Sequence, residues 1–155
     1  MSAHVPVTEV VILTFHPGTN PEEPVSRLNT IIARQEGFRG LRWGRWEEDA
    51  NKIQMMINWT DISYHRAFEN SGKDYTELFA VLTPILAAEP EVIHLQIDPD
   101  AINKVLDGPV SELATFYRIG EGFDGAVSQT LAIGAQSEGC LGYVRGPVVE
   151  EIAQG

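Results

Sequence analysis

Four histidines, His4, His16, His65 and His94, are the groups best suited to acid and base chemistry in this chain of 155 residues. An imidazole with a reference pKa of about 6.5 takes up and releases protons near neutral pH. Their positions show none of the short ligand spacings of a zinc site, and Cys140 is the single cysteine. No metal, thiolate cluster or internal disulfide is therefore expected. Cys140 has no histidine or basic neighbour in sequence and reads as a buried structural thiol rather than a nucleophile. No serine lies in a Gly-x-Ser-x-Gly elbow. The glycines at Gly37, Gly40 and Gly44 precede or lie within a strand, so they do not form a phosphate cradle at a helix N-terminus. What remains is proton chemistry by histidine beside aromatic and hydrogen-bonding side chains.

The elements that must hold these groups can be read from periodicity. Val7 to Phe15 is a β-branched strand that ends at His16-Pro17-Gly18. Val25, Leu28, Ile31 and Ile32 recur at helical spacing, and Gly37 suits the helix end. Leu41 to Glu47 and Lys52 to Trp59 read as strands joined by the polar link Glu48-Asp49-Ala50-Asn51. Helices follow from Ile62 to about Asn70 and from Tyr75 to Leu86, where Pro84 forces a kink or an early end. Val92 to Ile97 is a fourth strand. The order β-α-β-β-α-β is that of a ferredoxin-like split βαβ unit, an α+β fold. Period-two alternation places Val11, Leu13, Phe15, Leu41, Trp43, Ile53, Met55, Ile57, Ile93, Leu95 and Ile97 under the helices. The opposite face collects Val10, Ile12, Thr14, His16, Arg42, Trp46, Gln54, Met56, Asn58, Val92, His94 and Gln96. This mixed face suits a ligand-holding cavity; the plainer alternative is one wet face of an antiparallel sheet.

The chain also states one pattern twice. Pro6-Val7-Thr8-Glu9-Val10 returns as Pro109-Val110-Ser111-Glu112-Leu113, and Glu36-Gly37, Gly40 and Gly44 return as Glu138-Gly139, Gly142 and Gly146. This spacing divides the chain into a complete unit over residues 1–98, a connector over 99–109 that is part helical at Ile102 to Leu106, and a partial β-α-β copy over 110–155. The copy would pack on the first unit or on a partner chain. The acidic pairs at Glu47-Glu48 and Glu150-Glu151 fall at matching turns and read as solvated loops. A net charge of -11 repels phosphate backbones and anionic lipid, so neither nucleic acid nor membrane is an expected partner. No stretch approaches the roughly 20 apolar residues that span a bilayer. Met1-Ser2-Ala3-His4 lacks a basic segment and an apolar signal core, which makes a cytoplasmic protein the expectation.

The run Ile57-Asn58-Trp59-Thr60-Asp61-Ile62-Ser63-Tyr64-His65-Arg66-Ala67-Phe68, with Gly37 to Gly44 before it and Ser71 to Tyr75 after it, resembles antibiotic biosynthesis monooxygenase domains of the dimeric α/β barrel superfamily. The likeness covers about Pro6 to Asp98. It implies a homodimer and a small apolar or aromatic, polyketide-like substrate. It also implies either cofactor-independent oxygenation or a non-oxidative cyclase, dehydratase or isomerase reaction; a non-catalytic binding or assembly module is the third possibility. Haem-degrading relatives carry an iron-ligating histidine on the helix after the tryptophan, but Phe68 and Leu78 occupy such positions here, so no haem is expected. Both remaining reactions begin with proton removal and need a donor for the developing oxyanion. The resemblance makes His65 the first candidate base, near the position where quinone-forming relatives have a tyrosine; a surface helix histidine is the alternative reading. His16 and His94 are a second pair, on neighbouring strands of the mixed face, or else strand-end histidines bonded to backbone or water. Trp59 would form a pocket wall and Tyr75 would donate its hydroxyl. Asn58, Gln54, Trp46 and Arg42 would meet the substrate from the mixed face.

Overall fold

A computed structural model describes residues 4–150. The chain runs β1 (Val7–Thr14), α1 (Glu22–Ala33), β2 (Phe38–Arg45), β3 (Lys52–Trp59), α2 (Ile62–Glu69), α3 (Lys73–Leu82), β4 (Glu91–Leu95), α4 (Pro99–Leu106) and α5 (Phe123–Gly134). The four strands form one antiparallel sheet in the order β2-β3-β1-β4. This is the ferredoxin-like α+β arrangement that the order of elements predicts. Val25, Leu28, Ile31 and Ile32 of α1 and Leu78, Val81 and Leu82 of α3 bury against Val11, Leu13, Ile53, Met55 and Ile57 of the sheet. Asp61 starts α2 by accepting the backbone N–H of Ser63 on its side chain. That cap fixes where His65 falls on the helix, one turn inside it.

Gly37 joins α1 to β2 at φ +80°, and a Cβ there would overlap the Tyr64 ring. Left-handed backbone and close packing both require glycine. Gly37→Ala is expected to destabilise the protein by about 3 kcal/mol or more, read as a lower urea midpoint. A loss below about 1 kcal/mol would mean that Tyr64 moves aside freely.

Two expectations about the sheet are corrected. The first concerns β4. Its register on β1 sets Glu9 opposite His94, Val10 opposite Ile93 and Thr8 opposite Leu95. His94 therefore lies under the helices with Glu9 and Val11, while Ile93, Leu95 and Ile97 take the other face with Val10 and Met56. Alternation orders side chains within a strand, but only the pairing register decides which parity faces which side. With His94 under the helices and His16 exposed beyond the far end of β1, the two do not form a pair on the mixed face.

The second concerns the mixed face, which among the described residues is covered over Val10, Met56 and Asn58 and holds no open cavity there. Ile102 of α4, with Leu106, Val144 and Val148, packs on Val10, Met56, Leu95 and Ile97. The polar groups there are paired with protein: Thr8 Oγ1 donates to Asn58 Oδ1 at 2.7 Å, Asn58 Nδ2 donates to Asn103 Oδ1 at 2.9 Å, and Arg42 donates to Asp107 at 2.8 Å and to Asn103 at 2.6 Å. Over that part of the face, the mix of apolar and hydrogen-bonding residues matches the amphipathic α4 packed on it.

Over the partial copy the helix α5 forms, and among the described residues the segments beside it join no ladder beyond the single bridge between Val148 and Leu95. In the complete unit β1 and β2 never pair with each other, because each pairs with β3. A copy that holds counterparts of β1 and β2 without a β3 gives its strands no common neighbour.

Candidate functional site

An acidic residue inside an apolar strand is costly unless it is neutralised or paired. Glu9 sits in Val7-Thr8-Glu9-Val10-Val11 on the helix-facing side of β1, and it opens a chain of buried polar groups. Trp59 Nε1 donates to Glu9 Oε2 at 2.8 Å. Glu9 Oε1 lies 3.3 Å from His65 Nε2, and His65 Nδ1 lies 2.8 Å from His94 Nε2. His94 Nδ1 then meets Glu150 Oε1, while Glu150 Oε2 accepts the backbone N–H of His94 at 2.8 Å. Trp59, His94, His65 and Glu9 are 0%, 1%, 4% and 5% exposed. Four elements far apart in sequence converge here: β1, the end of β3, α2 and β4. The segment before the C-terminus closes the line.

The protons can be assigned by counting donors. Glu150 already accepts a backbone N–H, which favours its carboxylate, so His94 Nδ1 carries the proton toward it. His94 Nε2 is then an acceptor and takes the Nδ1 proton of His65. His65 Nε2 is left as an acceptor and faces Glu9. A protonated Glu9 satisfies it through one oxygen while the other oxygen accepts from Trp59. Every polar atom in the line has a partner in this arrangement. Electrostatics agrees with it: burial pushes the Glu9 carboxyl up to about 7, against the opposing pull of the Trp59 N–H. Burial also pushes His65 down to about 4. Glu150, which burial alone would raise, is held below its ordinary value by the backbone N–H and ring of His94.

Above Glu9 and His65 lies a cavity of about 80 Å³ between the sheet and helices α2 and α3, walled by Trp59, Phe68 and Tyr75. It reaches the surface beside Val92, which is 42% exposed. Trp59 and His65 rings tilt against each other at 5.4 Å, and Phe68 meets Tyr75 edge-on at 5.4 Å. Glu69 reaches to 4.0 Å from His65 Nε2 and is paired with Arg66 at 2.8 Å. Glu9, His65 and His94 also place one potential metal-ligand atom each within 4.8 Å of one another. His65, however, turns its two ring nitrogens to different partners, so the three donors do not face one common point in this arrangement.

Of the sequence candidates, His65, His94, Trp59 and Tyr75 are brought together at or beside the cavity. Arg42, Gln54 and Asn58 lie on the opposite face of the sheet, and Trp46 lies at the β2–β3 hairpin under Lys52 Nζ at 4.9 Å. His16 is exposed, its backbone N–H bonded to the carbonyl of Ile85. Glu9 and Glu150 were not legible as site residues. The signal for Glu9 was its charge at a core position of an apolar strand. Glu150, far from a solvated loop, is half-buried against His94.

No family model and no curated protein matches the sequence. Solved structures do. A candidate antibiotic biosynthesis monooxygenase from Bordetella bronchiseptica is 20% identical with a TM-score of 0.56, over 60% of this chain and 97% of its own. Another candidate antibiotic biosynthesis monooxygenase, from Nitrosomonas europaea, is 8% identical with a TM-score of 0.53, over 62% of this chain and 93% of its own. SnoaB, a cofactor-independent oxygenase from Streptomyces nogalater, is 19% identical with a TM-score of 0.48, over 73% of this chain and 98% of its own. No helix among the described residues is long and apolar enough to cross a membrane. The four-stranded sheet and its covering helices have the ferredoxin-like fold of antibiotic biosynthesis monooxygenase domains.

Proposed function

We propose that this protein is a small-molecule enzyme that oxygenates an aromatic or polyketide-like substrate without a cofactor. The observation that carries this reading is the buried Glu9–His65–His94 line opening on an aromatic-walled cavity. A carboxyl whose pKa lies near 7 is suited to remove a proton from an activated CH₂ or a phenol. The resulting electron-rich anion reduces dioxygen directly; a ring CH₂ becomes C=O, one oxygen atom is retained and the other leaves as water. The low dielectric of the cavity strengthens contacts to that anion from the Tyr75 hydroxyl. Its volume is below the roughly 150 Å³ that admits benzene. The reacting end of a substrate therefore enters beside Val92 while the remainder stays outside, or α2 and α3 part.

Oxygen uptake with electron-rich phenols and cyclic ketones of increasing size is the test. His65→Gln is expected to lower kcat about 100-fold or more. Proton exchange from deuterated water into the substrate without oxygen uptake would favour the second reading, a cyclase, dehydratase or isomerase, which the same acid–base line supports. Neither activity would leave a binding module.

The proposed assembly is a homodimer. Val110, Ile133 and Leu141 are 73%, 70% and 74% exposed on the segment that lacks strand partners, and a second chain would cover such residues. Light scattering at micromolar concentration is expected to give twice the monomer mass.

A further inference from the structure

We propose that Glu150 is the outer end of a proton relay, Glu9–His65–His94–Glu150, that carries a proton from the cavity to solvent. The inference rests on the proton chemistry proposed above and adds to it a path and two positioning residues, His94 and Glu150. A base that takes a proton into a nearly dry site must pass it on before the next turnover, and a substrate seated at the mouth beside Val92 closes the cavity's own route to water. Here Glu9 and His65 line the cavity, His94 is sealed behind them, and Glu150 has 27% of its side chain exposed. The donors and acceptors are ordered in one direction along the whole line.

The transfer balances without any further reactant. After Glu9 has taken a proton from substrate, its O–H passes to His65 Nε2. The His65 Nδ1 proton passes to His94 Nε2, and the His94 Nδ1 proton passes to Glu150. Three N···H or O···H bonds form and three break. Glu9 is again a carboxylate, both rings stay neutral in the opposite tautomer, and the proton leaves from Glu150 to water; the line carries its next proton once the two rings have returned to their starting tautomers. The other charged or titratable groups facing the line are Glu69 and Arg66 from α2 and Tyr75 from α3. Glu69 pairs with Arg66 through Oε2, and its Oε1 stands 4.0 Å from His65 Nε2, beyond hydrogen-bond reach, whereas His94 and Glu150 are in direct contact.

The segment is held for this task. Gln96 N–H donates to the Pro147 carbonyl and Val149 N–H to the His94 carbonyl, which fixes Glu150 beside His94. A Cβ on Gly146 would overlap the Gln96 carbonyl, so Gly146 permits the approach.

The test is nitrogen-15 NMR of the histidine rings in the ligand-free protein. The wild type is expected to show both His65 and His94 as Nδ1–H tautomers. Glu150→Ala, at a half-exposed position that does not threaten folding, is expected to change the tautomer at His94 and, through it, at His65. Gly146→Ala should act in the same way by unseating the segment, and Glu48→Ala, an exposed loop carboxylate, should change neither ring. Signals of His65 that ignore Glu150→Ala, or stoichiometric zinc uptake that replaces the ring N–H signals, would overturn the relay. With a substrate in hand, Glu150→Ala should lower kcat 10-fold or more at unchanged KM, and small carboxylate buffer bases should restore the rate. The ring spectra judge the relay whether or not oxygen is consumed, so failure of the proposed oxygenation is read separately from failure of the path.

Discussion

Glu9→Gln is expected to make the protein more stable than the wild type at pH 8, by about 3 kcal/mol, and to change little at pH 4.5. Burial raises the Glu9 carboxyl from 4.5 to about 7 in the folded state. The unfolded chain gives up this proton as pH passes 4.5, whereas the folded chain holds it until about 7. The stability linked to the protonated carboxyl is thus fully present below 4.5 and is lost as pH rises through 7. At about 1.4 kcal/mol for each pH unit, the interval gives the 3 kcal/mol. Glutamine reproduces the protonated carboxyl: its carbonyl can accept from Trp59 and its amide can donate to His65 Nε2. His65 has the opposite sign. Its folded pKa of about 4 lies below the ordinary 6.5, so stability is present above 6.5 and is lost as pH falls toward 4. Urea unfolding of wild type and variant at pH 5 and pH 8 decides the matter. Parallel behaviour of the two proteins with pH would show that Glu9 ionises as an ordinary carboxyl and would remove the basis for the proton assignment.

The path from sequence to site shows which physical rules can be read in one dimension. Strand β3 was legible because Ile53, Met55 and Ile57 alternate with residues of another character, and α1 because its apolar residues recur at helical spacing. Trp59, His65 and Tyr75 were named as candidates, but the cavity beside them lies under the helices and not on the mixed face where it was expected. His94 was assigned to the wrong face, because its side depends on pairing Glu9 with His94, a relation between strands that neither strand states alone. The amphipathic α4 was visible only as a partly helical connector, so the polar groups it satisfies, Arg42 and Asn58, were left looking like ligand contacts. Glu150 was out of reach for a third reason. Its partner is 56 residues away, and nothing in a Glu-Glu pair near a turn separates a solvated carboxylate from one that closes a buried line.

Trp59→Phe is expected to cost about 2–4 kcal/mol, and more at pH 8 than at pH 5. Trp59 is fully buried and supplies the N–H that Glu9 Oε2 accepts. Phenylalanine leaves that oxygen without a donor, at about 1–3 kcal/mol, and leaves a void between Phe38 and Phe68 that adds to the loss. The Trp59 N–H also favours the ionised carboxyl, so its removal moves the Glu9 pKa higher still and widens the range over which rising pH destabilises the fold. In Glu9→Gln the remaining acceptor is uncharged and the same tryptophan donor matters less. A double-mutant cycle at pH 8 should therefore show coupling between positions 9 and 59 of about 1–2 kcal/mol, which shrinks at pH 5 as the wild-type carboxyl becomes protonated. Additivity within about 0.5 kcal/mol at both values would mean that Trp59 holds the site by its volume alone. Coupling that grows with pH would identify the indole N–H as the group that keeps the Glu9 carboxyl within reach of neutral pH, as the proposed base chemistry requires.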